Sequence, residues 1–497
     1  MSPKPQQVPV AKLQELPSPD LLTQVLNAVG TSSDAAAAEK TKSMIGKLID
    51  QLLDPGMVVK PTVERTIKDR IAWIDKLLSD QVTAIMHSAE FKQLEASWLG
   101  LKRLVDKSET GENMKIRFIH ATKRDLAQDF SKASEFTESL LWKKIYADEY
   151  SQYGGDPFGI LVGDYEFDKG PMDMDLLNKM SEVAAGSHAP FLAATAPQMF
   201  GMESFTALPD PRDLAKAFDK TNPENARWIS FRDKEDSRYV GLSMPHYLVR
   251  RPYGKDKPAD TFDFQEGVDG EEHDKYLWGN AAFLLAERMT DAFAKYGWCF
   301  AIRGPEGGGL VQDLEMVTFK SRETGKVGSK CPTEVLISDD RENELSGLGF
   351  IPLLNCKNTD YAAFFGANSA QKPRKYNDPD ATANARLSSQ LPYLMVASRI
   401  AHYLKVMCRD KVGKAMSATE VEAFLSRWLA QYVLLDDGAT DEQKAKMPLR
   451  EAQVQVIADP AKPGCYQAIA HIRPHFQVDE INVSLRLVAT LPARAKK

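Results

Sequence analysis

Cysteine is sparse in this 497-residue chain: Cys299, Cys331, Cys356, Cys408 and Cys465 lie far apart, with no C-x-x-C pair. That spacing excludes a disulfide framework and a zinc ribbon, and buried free thiols are the expected state. No window approaches the roughly 20 consecutive apolar residues of a membrane span. Prolines interrupt the opening "MSPKPQQVPVAKLQELPSPD" where a signal peptide needs a continuous apolar core. The expected location is the cytoplasm, without direct membrane insertion. Excess charge of either sign is missing too, since 63 Lys and Arg against 69 Asp and Glu give a formal net charge of −6. Such a balance provides no field to draw in nucleic acid or an anionic membrane surface.

Catalytic signatures are also missing: there is no G-x-x-x-x-G-K-[ST], no H-E-x-x-H and no G-x-S-x-G. "RGPEGGGLV" (303–311) imitates a phosphate loop, because glycines after an apolar run can present backbone N–H groups to an anion. It lacks the lysine, and "LVQDLEMVTF" after it reads as extended, so a tight structural turn is expected. His471 and His475 flank Pro474, which breaks the helix that would set i, i+4 metal ligands on one face. "EEHD" (271–274) reads as a solvated charge run. Asp164 and Glu166 at a strand end make an acid/base pair with no His, Lys or metal partner nearby in sequence. No metal or cofactor is expected.

What the chain does have is helical and strand periodicity. In "SPDLLTQVLNAVG" (18–30), Ser18, Pro19 and Gly30 punctuate a helix whose Leu21, Leu22, Val25, Leu26 and Val29 form one apolar stripe. About three turns long, it is too short to be stable alone in water and needs a partner surface. A second helical pattern in the 40s stops at Pro55-Gly56, and "MVVK" (57–60) follows as a short strand. Val63, Ile67, Ile71, Ile74 and Leu78 mark a long amphipathic helix, and Phe91, Leu94, Trp98, Leu101 and Val105 a second. Stripes of this kind are normally buried within a domain.

From about 114 to 350 the apolar runs "MKIRFIHA", "FGILVGDYEF", "PFLAATA", "WCFAIRG" and "PTEVLIS" read as strands. They alternate with helical "DLLNKMSEVAAG" and "NAAFLLAERMTDAFAKYG", which predicts an α/β (α+β) layer architecture with a polar loop at 254–275. Helix returns in "LPYLMVASRIAHYLKVMCRD" and "SATEVEAFLSRWLAQYV", where Ser417 and Glu420 fit a capping box. Near the end, "REAQVQVI" alternates on Ala452, Val454 and Val456, and "INVSLRLV" on Ile481, Val483, Leu485 and Leu487. These predict two half-buried strands that form a hairpin or lend an edge to another chain.

Six blocks in order carry a family resemblance: "EFKQLEASWLGLKRLV" (90–105), "DPFGILVGDYEF" (156–167), "WGNAAFLLAER" (278–288), "GWCFAIRGPEGGGLV" (297–311), "PTEVLISDDRENELSGLGFIPL" (332–353) and "LPYLMVASRIAHYLKVMCRDKVG" (391–413). They closely resemble the large contractile-sheath subunit of bacterial type VI secretion systems, the TssC (VipB) family, and so does the ending "PHFQVDEINVSLRLVATLP" (474–492). The resemblance implies a structural protein and not an enzyme, with a contractile tail-sheath-like fold. It implies a small sheath subunit (TssB, VipA), further copies of the chain in a helical polymer, an inner Hcp tube, a baseplate and the AAA+ unfoldase ClpV as partners.

The implied organisation is an N-terminal arm at 1–60, a helical segment at 61–113 that packs with the small subunit, an α/β core at 114–390, and inner-wall helices with intersubunit strands at 391–497. Within that scheme Leu21, Leu22, Val25 and Leu26 are the implied unfoldase-binding residues. Met57, Val58, Val59, Val454, Val456, Ile481, Val483, Leu485 and Leu487 are the implied intersubunit strands, and Lys414, Glu420 and Glu422 the inner-tube contacts. Two other readings stay open, the sheath of another phage-tail-like contractile particle and an α/β enzyme using the 156–166 or 303–309 loops.

Overall fold

The computed structural model describes residues 63–477, except 210–212, 220, 269, 271, 321–324, 326, 415, 437 and 459–465, together with residues 43, 44 and 47. Two compact units divide the chain, Met1–Asp80 with Asp260–Phe264, and Gln81–Ala259 with Gln265–Lys497. The described part of the first is mostly the start of helix α1 (Val63–Met86), free of glycine and proline over its whole length. In the second, the principal helices are α2 (Ala89–Lys107), α3 (Lys123–Lys132), α4 (Pro171–Ser187), α5 (Ala282–Tyr296), α6 (Leu391–Asp410) and α7 (Ala418–Leu429). Start signals in the sequence are used as written: Thr122 and Asp125 close a capping box on α3, and Ser417 and Glu420 close the expected one on α7.

The main sheet has six strands in the order β1 (Leu161–Phe167), β2 (Phe191–Thr195), β3 (Val240–Met244), β9 (Ile351–Asn355), β10 (Ala362–Phe364), β6 (Leu310–Val311). Its first four strands run parallel, and β10 runs antiparallel to both neighbours. Every residue of β2 and β3 is buried, as parallel strands covered on both faces require. Around them, Phe167, Leu177, Leu192, Trp228 and Phe350 build the larger core, with Trp228 and Phe350 stacked at 5.3 Å. Small antiparallel pairs β4–β5 (Tyr247–Arg250, Leu277–Gly279) and β7–β8 (Val317–Lys320, Val327–Lys330) lie outside this sheet.

A second core gathers Trp298, Phe300, Tyr393, Val396, Ile400, Leu425, Leu429 and Val454. It is covered by the antiparallel hairpin of β11 (Leu449–Ala458) and β12 (Tyr466–Pro474).

Several expectations need correction. "MKIRFIHA" forms no strand, "PTEVLIS" contributes only an isolated bridge from Thr333 to Tyr247, and "WCFAIRG" has no ladder. In the last, Trp298 and Phe300 point into the second core and Ile302 into the first, so the segment threads between two cores with no strand beside it. Three of the described cysteines are half-buried and Cys356 is exposed, against the expectation of burial; Cys465 lies outside the described residues. The apolar stripes of α1 and α2 are also largely exposed, with Leu101 of α2 half-buried against the larger core. Ile67, Ile71, Ile74 and Leu78 are exposed on α1, as are Phe91, Leu94, Trp98 and Val105 on α2.

Candidate assembly interface

Helix α2 meets the core through Gly100, Leu101 and Leu104, with Arg103 beside them. A Cβ added at Gly100 would lie 2.6 Å from the Phe283 ring, so glycine is what permits the close approach of α2 to α5. Along the same seam Arg103 Nε donates to the buried Glu287 carboxylate at 2.9 Å, and the Ser108 and Thr290 hydroxyls bond at 2.8 Å. The rest of the apolar stripe faces outward. Trp98 is 56% exposed and leans at 5.7 Å on Phe118, itself 61% exposed, with Ile119 exposed beside it.

Phe118 belongs to the "MKIRFIHA" segment, which has strand composition without a strand. Side chains hold it: Lys115 pairs with Asp156 at 2.6 Å, Arg117 reaches Glu149 and Asp156, and Tyr165 Oη donates to Ala121 O at 2.7 Å. Among the described residues, the backbone groups of 115–120 have no backbone partner. This segment and α2 line a groove of about 2480 Å³ that extends past Tyr276, Trp278 and Phe293. Small-molecule sites occupy about 300–1,000 Å³. The groove exceeds that range and is lined by exposed aromatic side chains such as Trp98 and Phe118.

One wall of the groove carries a row of alternating charges. His246 Nδ1 donates to Glu334 at 2.5 Å and Nε2 to Glu166 at 2.9 Å, so both ring nitrogens carry protons. Glu334 also accepts from Ser204 Oγ at 3.1 Å and from His273 Nε2 at 3.2 Å, and His273 Nδ1 accepts from Lys330 at 3.2 Å. Burial alone would discharge His246, but the two carboxylates hold its pKa up at about 10. Burial alone would also raise Glu334, but its donors hold it down at about 2. This is a permanent ion pair stapling β1, the turn after β3 and the approach to residue 334, and not a base poised near neutrality.

Asp164 and Glu166, which lack a His, Lys or metal partner nearby in sequence, take separate partners in the structure. Glu166 is drawn to His246, while burial pushes Asp164 up as it bonds Ser97 and, at 3.3 Å, Asn280. The "EEHD" run is likewise more than a solvated charge cluster, because His273 is part of the staple. Sequence reasoning missed His246 because it lies 80 residues from Glu166. The glycine loop is a tight turn, as expected: Gly304 N–H bonds Phe364 O at 2.7 Å and Gly309 N–H bonds Gly304 O at 2.8 Å. Those N–H groups are occupied by the protein itself. His471 is exposed on β12, whereas His475 is buried beyond its end, so the two share no ligand face. Among the described residues no His, Cys, Asp and Glu cluster fits a metal.

At the C-terminal core, Val454 pairs with Ala470 and Val456 with Ala468, and both valines are buried under α7. Strand β12 was not anticipated from the sequence; its Ala468, Ala470 and Ile472 carry the same alternation. Val456 N–H donates outward to Glu422 Oε2 at 2.9 Å, so Val456–Ala468 is a non-hydrogen-bonded pair of the ladder. By alternation Ala468, Ala470 and Ile472 turn their N–H and C=O groups to the outer edge, where no backbone partner exists among the described residues.

Glu422 is therefore not the exposed charge expected of it, since it caps the inner edge of β11. Glu420 is exposed but committed to the cap of α7, and Lys414 is exposed in the turn after α6. Leu21, Leu22, Val25, Leu26, Met57, Val58, Val59, Ile481, Val483, Leu485 and Leu487 lie outside the described residues.

An open sheet edge and an exposed apolar groove mark surfaces suited to contact with another chain. Residues 68–371 match the VipB model, described as EvpB/VC_A0108, tail sheath N-terminal domain. Residues 380–491 match its companion, the tail sheath gpW/gp25-like domain. The chain belongs to the VipB tail-sheath family. It is 45% identical over 461 residues to the type VI secretion system sheath protein TssC1 of Pseudomonas aeruginosa, covering 92% of each chain. This makes it a structural subunit of a contractile sheath of the type VI secretion kind.

Two solved structures are more distant. The anti-feeding prophage baseplate matches at 10% identity with a TM-score of 0.38, covering 76% of this chain and 84% of that one. The contracted helical sheath of the same particle matches at 12% and 0.30, covering 62% and 66%. Among the described residues no helix is long and apolar enough to cross a membrane.

Proposed function

We propose that this chain is the large sheath subunit that polymerises with a small sheath subunit (TssB, VipA) around a tube of Hcp and contracts to propel it. The carrying observation is the groove beside α2, where Leu94, Trp98, Phe118 and Ile119 stay exposed over a segment with unpaired backbone. Covering such a face is worth about 1.5–3 kcal/mol per large side chain before ordering costs. The small subunit is its occupant, in keeping with a helical 61–113 segment that packs with it and precedes a core at 114–390.

A tube that contracts has to let rigid bodies re-pack without losing their neighbours. Shared strands suit this, because ladder bonds hold while linkers hinge. The outer edge of β12 receives a strand from a neighbour, with 57–59 and 481–487 as the exchanged segments and Val454 and Val456 anchoring the hairpin behind them. Residues 391–497 form the inner wall, where Lys414 and Glu420 are the solvent-facing charges toward Hcp. The arm at 1–60 carries the ClpV handle at Leu21, Leu22, Val25 and Leu26, and the end of the polymer sits on a baseplate. The work comes from the assembled state, so the chain acts in the cytoplasm without enzymatic activity or cofactor.

Co-expression with the neighbouring small sheath gene, followed by sedimentation and electron microscopy, tests this. Tubes containing both chains are expected, with the large chain insoluble or aggregated when expressed alone. A stable monomer alone and no tubes together would refute the reading. Tubes of this chain without a second one would assign it to a single-chain sheath of another contractile particle.

A further inference from the structure

The "RGPEGGGLV" motif is left without a role by the assembly surfaces described so far. We infer that Arg303 and its glycine loop form a clamp that sets the register of the chain beyond residue 477. Gln477 makes three hydrogen bonds to two segments, the 298–304 segment and α6. Its N–H donates to Tyr393 Oη at 2.9 Å, its Oε1 accepts from Arg303 Nε at 2.8 Å, and its Nε2 donates to Phe300 O at 3.0 Å. The adjoining Phe476 is 53% exposed, while His475 before it is buried with its N–H on Pro448 O at 3.0 Å.

The clamp itself is rigid. Arg303 is buried, and a Cβ at Gly307, Gly308 or Gly309 would lie 2.4 Å from Arg303 O, 2.1 Å from Ala301 O and 2.5 Å from Phe364 O respectively. Phe364 N–H bonds Gly309 O at 3.0 Å, which ties the loop to β10 and through it to the main sheet. Tyr393 is buried on α6, edge-on to Phe300 at 5.9 Å. Gln477 therefore fastens the end of the hairpin to the main sheet and to the C-terminal core together.

This inference rests on the reading that residues beyond 480 join a neighbour's sheet. Strand side chains alternate with period two, so a slip of one residue turns every apolar side chain to the opposite face. In the sequence the alternation of Ile481, Val483, Leu485 and Leu487 begins four residues after Gln477. Gln477 and Arg303 are positioning residues for that strand.

The test compares Gln477→Ala and Gln477→Glu in full-length chain co-expressed with the small subunit, reading both tube yield and melting temperature of the unassembled complex. Gln477→Ala should cut tube yield about tenfold while shifting the melting temperature by no more than about 2 °C. Gln477→Glu keeps an acceptor for Arg303, now charge-assisted, but loses the Nε2–H donor to Phe300 O and sets a carboxylate oxygen near that carbonyl, so it should recover yield in part, to within about threefold of wild type. Wild-type yield from Gln477→Ala overturns the clamp, as does an equal loss in both variants that tracks a fall in melting temperature. Failure of the wild-type chain to form tubes overturns the sheath reading, and the clamp with it.

Discussion

The six-stranded sheet and the β11–β12 hairpin are built on opposite terms. Strands β2 and β3 are buried throughout and packed on both faces. The hairpin has one face on Leu425 and Leu429, while the outer edge of β12 has no backbone partner among the described residues. The interior strands of the first region are paired on both edges and covered on both faces by their own chain. The second leaves the outer side of its ladder unpaired among the described residues, an edge of the kind that can accept another strand.

Breaking the covered region should cost stability first. His246→Ala leaves Glu334 buried without its cation, a loss of about 3–5 kcal/mol, read by denaturant unfolding of the co-purified complex. A loss below about 1 kcal/mol would mean that water replaces the imidazolium. In the hairpin's own core, Leu425→Ala should cost about 2–5 kcal/mol. The distinguishing sign is limited proteolysis: cleavage should open at 449–474 while the main sheet stays protected. If the entire chain becomes sensitive together, the two regions are one cooperative unit.

The sharpest contrast comes from Ala470→Pro. Its N–H faces the outer edge, so folding stability should change by no more than about 0.5 kcal/mol while tubes are lost. Tubes at normal yield would show that this edge is not shared.

The smallest effect separates two buried histidines by pH. His246 is held above its ordinary value of 6.5, so its contribution is complete below pH 6.5 and is lost as pH rises through about 10. His402 on α6 is held down at about 4 by burial, with Nε2 donating to Ser187 O at 2.9 Å. Its contribution is present above pH 6.5 and is lost as pH falls through about 4. Thermal melts of His402→Leu should show a shallower decline than wild type between pH 6.5 and 4, at a cost of about 1 kcal/mol at neutral pH for the lost hydrogen bond. Parallel acid limbs in the two proteins would assign the decline to other groups.

The sequence was most legible where one residue pattern served one element. The capping box at Ser417 and Glu420, the helix over Leu391–Asp410 and the alternation of Val454 and Val456 are all local signals. Legibility failed where a segment's environment is set by distant residues. "MKIRFIHA" has strand composition, but such composition reports fit to a pleated, half-buried surface and makes no strand without a neighbour. The stripe on α2 correctly marked an apolar face, yet periodicity says nothing about which chain covers it. The charged staple was beyond reach, because His246, Glu334 and His273 meet only through the tertiary fold.

The bare edge of β12 and the exposed Trp98 also bear on supply. A molecule made without its complement presents an open ladder of small residues and aromatic surface at once, which are the ingredients of runaway self-association. Overproducing this chain by itself should therefore yield inclusion bodies rather than spare subunits. The cell's usable dose of it is then fixed by the dose of whatever covers those surfaces, and matched synthesis of the two becomes a condition of keeping either one intact.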